Sequence, residues 1–285
     1  MNTRKRMSRQ VVAVATFALA ALVSTACTSS ASTASTSSLA RIQKAGVLRY
    51  AVVVGAEPGF IQAANGQWGG YCAVIDQQIA KDLNLKPVPV VTTWGTMALD
   101  LETNKIDIAD CAQPTGQRAL VVDYTTHPIY TNYFSLVVRN PNIQASSWAQ
   151  LDNKNMKIGV TTGSSAIQPI KMFAPLAQIV SFPSRPVALL ALQNGQIDVY
   201  GSTLLESMQA VHANTALKAR VVVPDPLVAA PSAVMVARSG GSAFLHAVDA
   251  VVWNLNSSGF DRSAILAALS TYGITAADLP ANAPL

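Results

Sequence analysis

The chain has 285 residues, half of them apolar and 12% charged, a composition that excludes intrinsic disorder and suits a well-packed globule. Its 20 Lys and Arg face 15 Asp and Glu, but Arg4, Lys5, Arg6 and Arg9 crowd the first nine residues, and without those four the balance is 16 against 15. The basic excess therefore belongs to the N-terminus, and neither a nucleic-acid partner nor an anionic membrane surface follows from it.

That basic start runs into an apolar stretch at 11–23 interrupted only by Thr16. It is too short to span a bilayer, which takes about 20 apolar residues, and reads as a secretory signal over residues 1–26. Cys27 follows the small residues Ser24, Thr25 and Ala26, an arrangement that resembles a bacterial lipobox, in which the thiol is lipidated and becomes the new first residue. Ser24 stands where Leu is usual, and ordinary cleavage after Ala26 is the alternative. Residues 27–38 then form a lipid-anchored tether, because the Ser, Thr and Ala of 28–38 bury too little apolar surface to offset the entropy of ordering. The expected location is extracytoplasmic, in the periplasm or on the outer face of the cell membrane.

From Gly46 onward, short β-branched runs alternate with stretches of helical period. Strands are predicted at 47–54, 88–92, 106–109, 156–160, 179–182, 197–200 and 220–223. Helices are predicted at 71–83, 94–103, 164–173, 186–193 and 203–212, with two more at 242–255 and 261–269 separated by Gly259 as a helix stop. The alternation implies parallel sheets covered by helices, the α/β class. Residues 99–108 and 190–199 share one pattern: a helix end, a residue suited to the left-handed conformation (Asn104 or Gly195), then Ile-Asp opening a strand. Two similar lobes follow from this echo more naturally than one long sheet, although helix-Gly-strand is also a common connection.

Beyond Cys27 the chain has two cysteines, Cys72 and Cys111. Outside the cytoplasm paired thiols tend to oxidise, so a disulfide is the economical reading and two buried free thiols the alternative. Zinc lacks a ligand set, since no His stands at ligand spacing to complete four-coordination.

The residues at 42–50, Gly70-Tyr71, 94–107, Pro114-Thr115-Gly116-Gln117-Arg118, 122–124, 128–130, 157–165 and 191–198 together resemble the family-3 extracellular solute-binding proteins. The resemblance covers 39 to about 274 and implies the two-lobed periplasmic binding protein type II fold that serves polar amino acid importers. It implies two crossings between lobes, near 131–134 and 228–232, so that lobe 1 comprises 39–131 plus 231–285 and lobe 2 comprises 132–230.

It also implies a binding cleft. Arg118 occupies the position whose guanidinium grips the ligand's carboxylate, a task suited to a planar fork of donors. Gly163-Ser164-Ser165 would hold the same carboxylate from lobe 2 at a helix start, where Ser164 could equally serve as the cap. Trp94 and Phe60 match wall positions, and Trp68 and Tyr71 are weaker candidates. The family's usual acid after the second Ile-Asp strand is replaced by Thr203, and the other usual carboxylate by Cys72. A ligand ammonium would therefore have a relocated partner, Asp110 or Glu57, with Gln113 nearby, or the ligand would carry no ammonium.

The expected function is the substrate-binding component of an ABC importer for a small, amino-acid-like carboxylate, acting as a monomer with a membrane permease as partner and no cofactor. The sequence has no phosphate-binding glycine loop, no Gly-x-Ser-x-Gly and no His-Glu-x-x-His, and His127, His212 and His246 stand in unrelated contexts. The alternatives are a dehydratase using Glu57 or Asp110 as acid or base on the same fold, or a ligand-sensing lipoprotein acting through a partner.

Overall fold

The computed structural model describes residues 37–281, so the signal, the lipidation position Cys27 and all but the end of the tether lie outside the described residues. Ser37 accepts the amide of Ala40 and caps α1 (Ser38–Ala45), which Gly46 closes in the left-handed conformation. Helix thus begins one residue inside the expected tether.

β1 (Val47–Val53) follows, then the short hairpin β2 (Ile61–Gln62) and β3 (Trp68–Gly69), α2 (Tyr71–Asp82) and β4 (Lys86–Thr92), which pairs parallel to β1 along its whole length. α3 (Met97–Glu102) returns the chain to Ile108, which bridges Tyr50, and to Ala109, which bridges Met235. The strand predicted at 106–109 is thereby reduced to two bridges linking separate strands. After a single 3-10 turn at Arg118–Leu120, β5 (Val122–Tyr124) ends the first pass.

β6 (Tyr130–Val138) opens a second sheet. It is followed by β7 (Lys157–Thr161), α4 (Ile167–Phe173), β8 (Gln178–Phe182), α5 (Arg185–Gln193), β9 (Val199–Thr203), α6 (Leu204–Ala213) and β10 (Arg220–Val222). The strand order is β10-β6-β9-β7-β8, with β7 parallel to both its neighbours and β6 antiparallel to β9 and β10. β6 sends Leu136 and Val138 into one core and Val137 into another, and β9 divides Val199 from Tyr200 in the same way. The period-2 pleat thus explains why this sheet is covered on both faces and why its strands read as unbroken apolar runs. β11 (Ala229–Ser232) then lies antiparallel to β6, with Ser232 opposite Tyr130 and Ala229 opposite Tyr133, before β12 (Met235–Ala237) pairs with β5. The two stretches expected to cross between lobes are neighbours in this one ladder. α7 (Ser242–Ser258) and α8 (Phe260–Ser270) complete the first lobe's core, with Gly259 left-handed between them.

The internal echo has a physical content. Asn104 and Gly195 both adopt positive φ, and the Asp three residues later reaches a strand of its own lobe, β1 for Asp107 and β7 for Asp198. Asp107 accepts the Arg49 amide at 2.8 Å and Asp198 accepts the Lys157 amide at 2.7 Å, while their own amides donate to Arg49 and Lys157 carbonyls at 2.8 and 2.9 Å. Asp107 also takes the guanidinium groups of Arg41 and Arg49. Burial would raise its pKa, and these hydrogen bonds outweigh that and hold its carboxyl below the usual carboxylate range.

Candidate functional site

A cavity of about 310 Å³ lies between the two sheets' loop ends. That is within the range of small-molecule sites. Lobe 1 contributes Phe60, Trp94, Gln113 and Arg118, with the Phe60 and Trp94 rings 6.5 Å apart, and lobe 2 contributes Ser164, Ser165 and Thr203. Tyr71 lines the same cavity, whereas Trp68 does not.

Arg118 is held by its own turn: Thr115 Oγ1 accepts its amide, and its guanidinium donates to the carbonyls of Gln113 (2.9 Å), Trp94 (3.1 Å) and Gly163 (3.2 Å). It is 7% exposed and makes no ion pair with any described residue. Burial pushes its pKa below the usual guanidinium value, opposed by the nearby Tyr124. A desolvated cation satisfied only by carbonyls is a strong attractor for an anion.

The carbonyl of Gly163 belongs to the opposite lobe, and the approach there is close. Gly163 has φ +76°, and a Cβ at that position would fall 2.6 Å from the main chain of Gly95. Only glycine fits. Beside it Ser165 Oγ donates to Gln113 Oε1 at 2.6 Å. Ser164 Oγ is buried with no hydrogen-bond partner among the described residues. The predicted helix start at 164 is corrected: α4 begins at Ile167 with Ala166 at its cap, so Ser164 caps nothing and its hydroxyl is left to the cavity.

The two carboxylates considered as ammonium partners lie elsewhere. Asp110 is fully buried and is not part of the cavity wall. Cys111 adopts a left-handed φ of 59°, and it faces the cavity while Asp110 is buried in the core. Cys111 is joined to Cys72 by a disulfide that itself forms wall. Asp110 accepts the Cys111 amide and, at 3.4 Å, the Ser232 hydroxyl, and its other oxygen is unpartnered. Glu57 also stays out of the wall and pairs with Arg185, Nη2 to Oε2 at 2.6 Å.

Two charged wall residues were missed in the sequence. Arg185 opens α5 and is 7% exposed. Glu206 stands three residues beyond Thr203 on α6, where the helical period returns it to the same face, and its carboxylate accepts the Ser202 hydroxyl. An acid thus lines the wall one turn after Thr203, a signal available from the helix period.

A family model described as bacterial extracellular solute-binding proteins, family 3, matches residues 48–260. No curated protein sequence matches significantly. Among solved structures, an amino acid ABC transporter substrate-binding protein of Streptococcus pneumoniae bound to L-arginine is 21% identical, with 81% of this chain and 98% of that one covered at a TM-score of 0.71. A mutant of ArgBP from T. maritima is 20% identical over 82% and 99% of the two chains, TM-score 0.72. An ancestral amino acid-binding protein, a precursor of cyclohexadienyl dehydratase, is 24% identical over 80% and 97%, TM-score 0.69. These likenesses establish a two-lobed α/β fold of the periplasmic binding protein type II kind.

Behind the wall, Asp110 shares its apolar surroundings with Asp76, also fully buried, and with the Tyr71 and Tyr130 hydroxyls. Burial raises Asp110 to about 7, and Asp76 is raised well above the carboxylate range, first by burial and then by Asp110. Both carboxyls ionise near 4 when unfolded, so the contribution of each is complete below that pH; that of Asp110 is lost as pH rises through about 7, by up to about 1.4 kcal/mol per pH unit, and that of Asp76 falls in the same direction. Urea midpoints should fall between pH 5 and 8, and Asp110→Asn should flatten the fall; an unchanged slope in the variant contradicts the assignment.

Proposed function

The chain belongs to family 3 of the bacterial extracellular solute-binding proteins, and from that premise we propose that it is the substrate-binding component of an ABC importer for an α-amino acid or a close analogue. The observation that carries this reading is Arg118, a buried guanidinium at the cleft without a carboxylate partner among the described residues. A ligand carboxylate meeting it would also find the free Ser164 hydroxyl. Glu206 on the same wall supplies the carboxylate for an ammonium, the role for which the sequence offered Asp110 or Glu57. Relatives of the same fold hold L-arginine, which supports an amino acid as the class.

In this reading lobe 1 is 39–131 plus 231–285 and lobe 2 is 132–230, hinged at the β6–β11 ladder. Closure joins Arg118 to Gly163, Gln113 to Ser165 and Glu57 to Arg185, and the ligand adds contacts that exist only when the cleft is shut. In this reading the protein binds its ligand without turning it over: Glu57 is occupied by Arg185, Asp110 lies behind the wall, and Glu206 serves as the ammonium's partner. It acts as a monomer outside the cytoplasm, presenting the solute to a membrane permease, and is anchored there through a lipid on Cys27.

A thermal-shift screen of L-amino acids tests the binding reading. A ligand at 100 times its Kd should stabilise the wild type by about 2.7 kcal/mol. The scattering radius should shrink on saturation, and a panel in which no amino acid raises the melting temperature contradicts the proposal. Mass spectrometry of the native N-terminus tests the anchor, with a diacylglyceryl-modified Cys27 expected and an unmodified Cys27 opposing it.

A further inference from the structure

We propose that Arg185 determines which amino acids the cleft accepts: it is a built-in cation that occupies Glu57 and excludes ligands with cationic side chains, leaving neutral and acidic ones. The inference rests on the amino-acid reading above and assigns the side-chain half of that site.

The argument begins with charge. Among the described residues, the charged side chains lining the cavity are Arg118, Arg185 and Glu206. An α-amino acid brings one carboxylate and one ammonium, which Arg118 and Glu206 satisfy one for one. The third charged group of the wall is the guanidinium of Arg185, whose charge Glu57 balances from outside the wall. Glu57, the acid that could receive a cationic side chain, is already bonded to it through both its carboxylate and its carbonyl oxygen.

The placement of Arg185 is costly enough to need a reason. It opens α5, where the positive end of the helix dipole disfavours a cation, and it is almost fully buried. Glu57 offsets both terms from the opposite lobe, so the pair forms only when the lobes meet. Arg185 and Glu206 act on the same end of the cavity: both bear on the buried hydroxyls of Tyr71 and Tyr200, with opposite effects on their titration. A ligand guanidinium placed there would find no unpaired acid, since Glu206 is taken by the ammonium and Glu57 by Arg185, and its desolvation would go uncompensated. A neutral side chain is tolerated, and a carboxylate is attracted.

Calorimetric titration of the wild type and three variants with L-glutamine, L-glutamate, L-arginine and L-lysine tests this. The wild type should bind glutamine or glutamate at least about tenfold more tightly than arginine or lysine, the scale of close charge pairs at interfaces. Arg185→Gln frees Glu57 and should raise affinity for arginine relative to glutamine by about tenfold. Adding Glu57→Gln to that variant should remove the gain. Glu57→Gln alone leaves Arg185 without its acid and should shift preference toward glutamate by a similar factor. A pair serving only to hold the lobes together would lower all four affinities alike, and that result overturns the proposal. Wild-type protein that binds arginine as tightly as glutamine overturns it as well. If none of the four probes binds any form, the amino-acid reading itself fails and the inference falls with it.

Discussion

Arg118 is a charge taken out of water and given no counter-charge by any described residue. Its fork is fixed by three carbonyls, two from its own lobe and one from Gly163 across the cleft. Carbonyl dipoles orient a guanidinium without neutralising it, and the cost of burying the charge remains in the folded state. Much of the surrounding sequence is arranged to tolerate that cost. Thr115 fixes the turn, Gly163 and Gly95 let the main chains touch, and the Ser164 hydroxyl is left unpaired beside them. On the proposed reading a ligand carboxylate would relieve this imbalance, and binding and closure would draw on the same energy.

The scaffold makes the arrangement possible by building each lobe on one device. Asp107 seals β1 and Asp198 seals β7 against the connection that follows a left-handed residue. The loops after those strands then converge on the cleft. The disulfide stiffens one wall by tying the start of α2 to the segment leaving Asp110. Closing a loop of that length stabilises a chain by about 2–5 kcal/mol. The Glu57–Arg185 pair joins the lobes at the other wall.

Local pattern made the α/β alternation legible, because buried parallel strands such as β7 and β8 read as β-branched runs and α7 and α8 carry their own glycine stop. β5, β6, β11 and β12 were not predicted. Their partners are distant in sequence, and β6 takes its register from β9 and β11, which no short window contains. Arg118, Trp94 and the 163–165 loop were found through motif resemblance, and the structure brings them to one cavity. Asp110 and Glu57 were placed in the mouth by alignment. The side-chain direction that sends Asp110 inward, and the cross-lobe pairing that occupies Glu57, are properties of the assembled fold. Glu206 was within reach of the helical period, and Arg185 was not, since only lobe closure brings its partner.

The claim on which this account stands is that Arg118 reads a carboxylate. It is tested most directly by measuring, for wild type and Arg118→Ala, the affinity of one amino acid and of its α-carboxamide. The account predicts that the wild type prefers the carboxylate by about a hundredfold or more, the scale of a desolvated charge pair, and that Arg118→Ala loses most of that preference. Equal discrimination by the two proteins would contradict it.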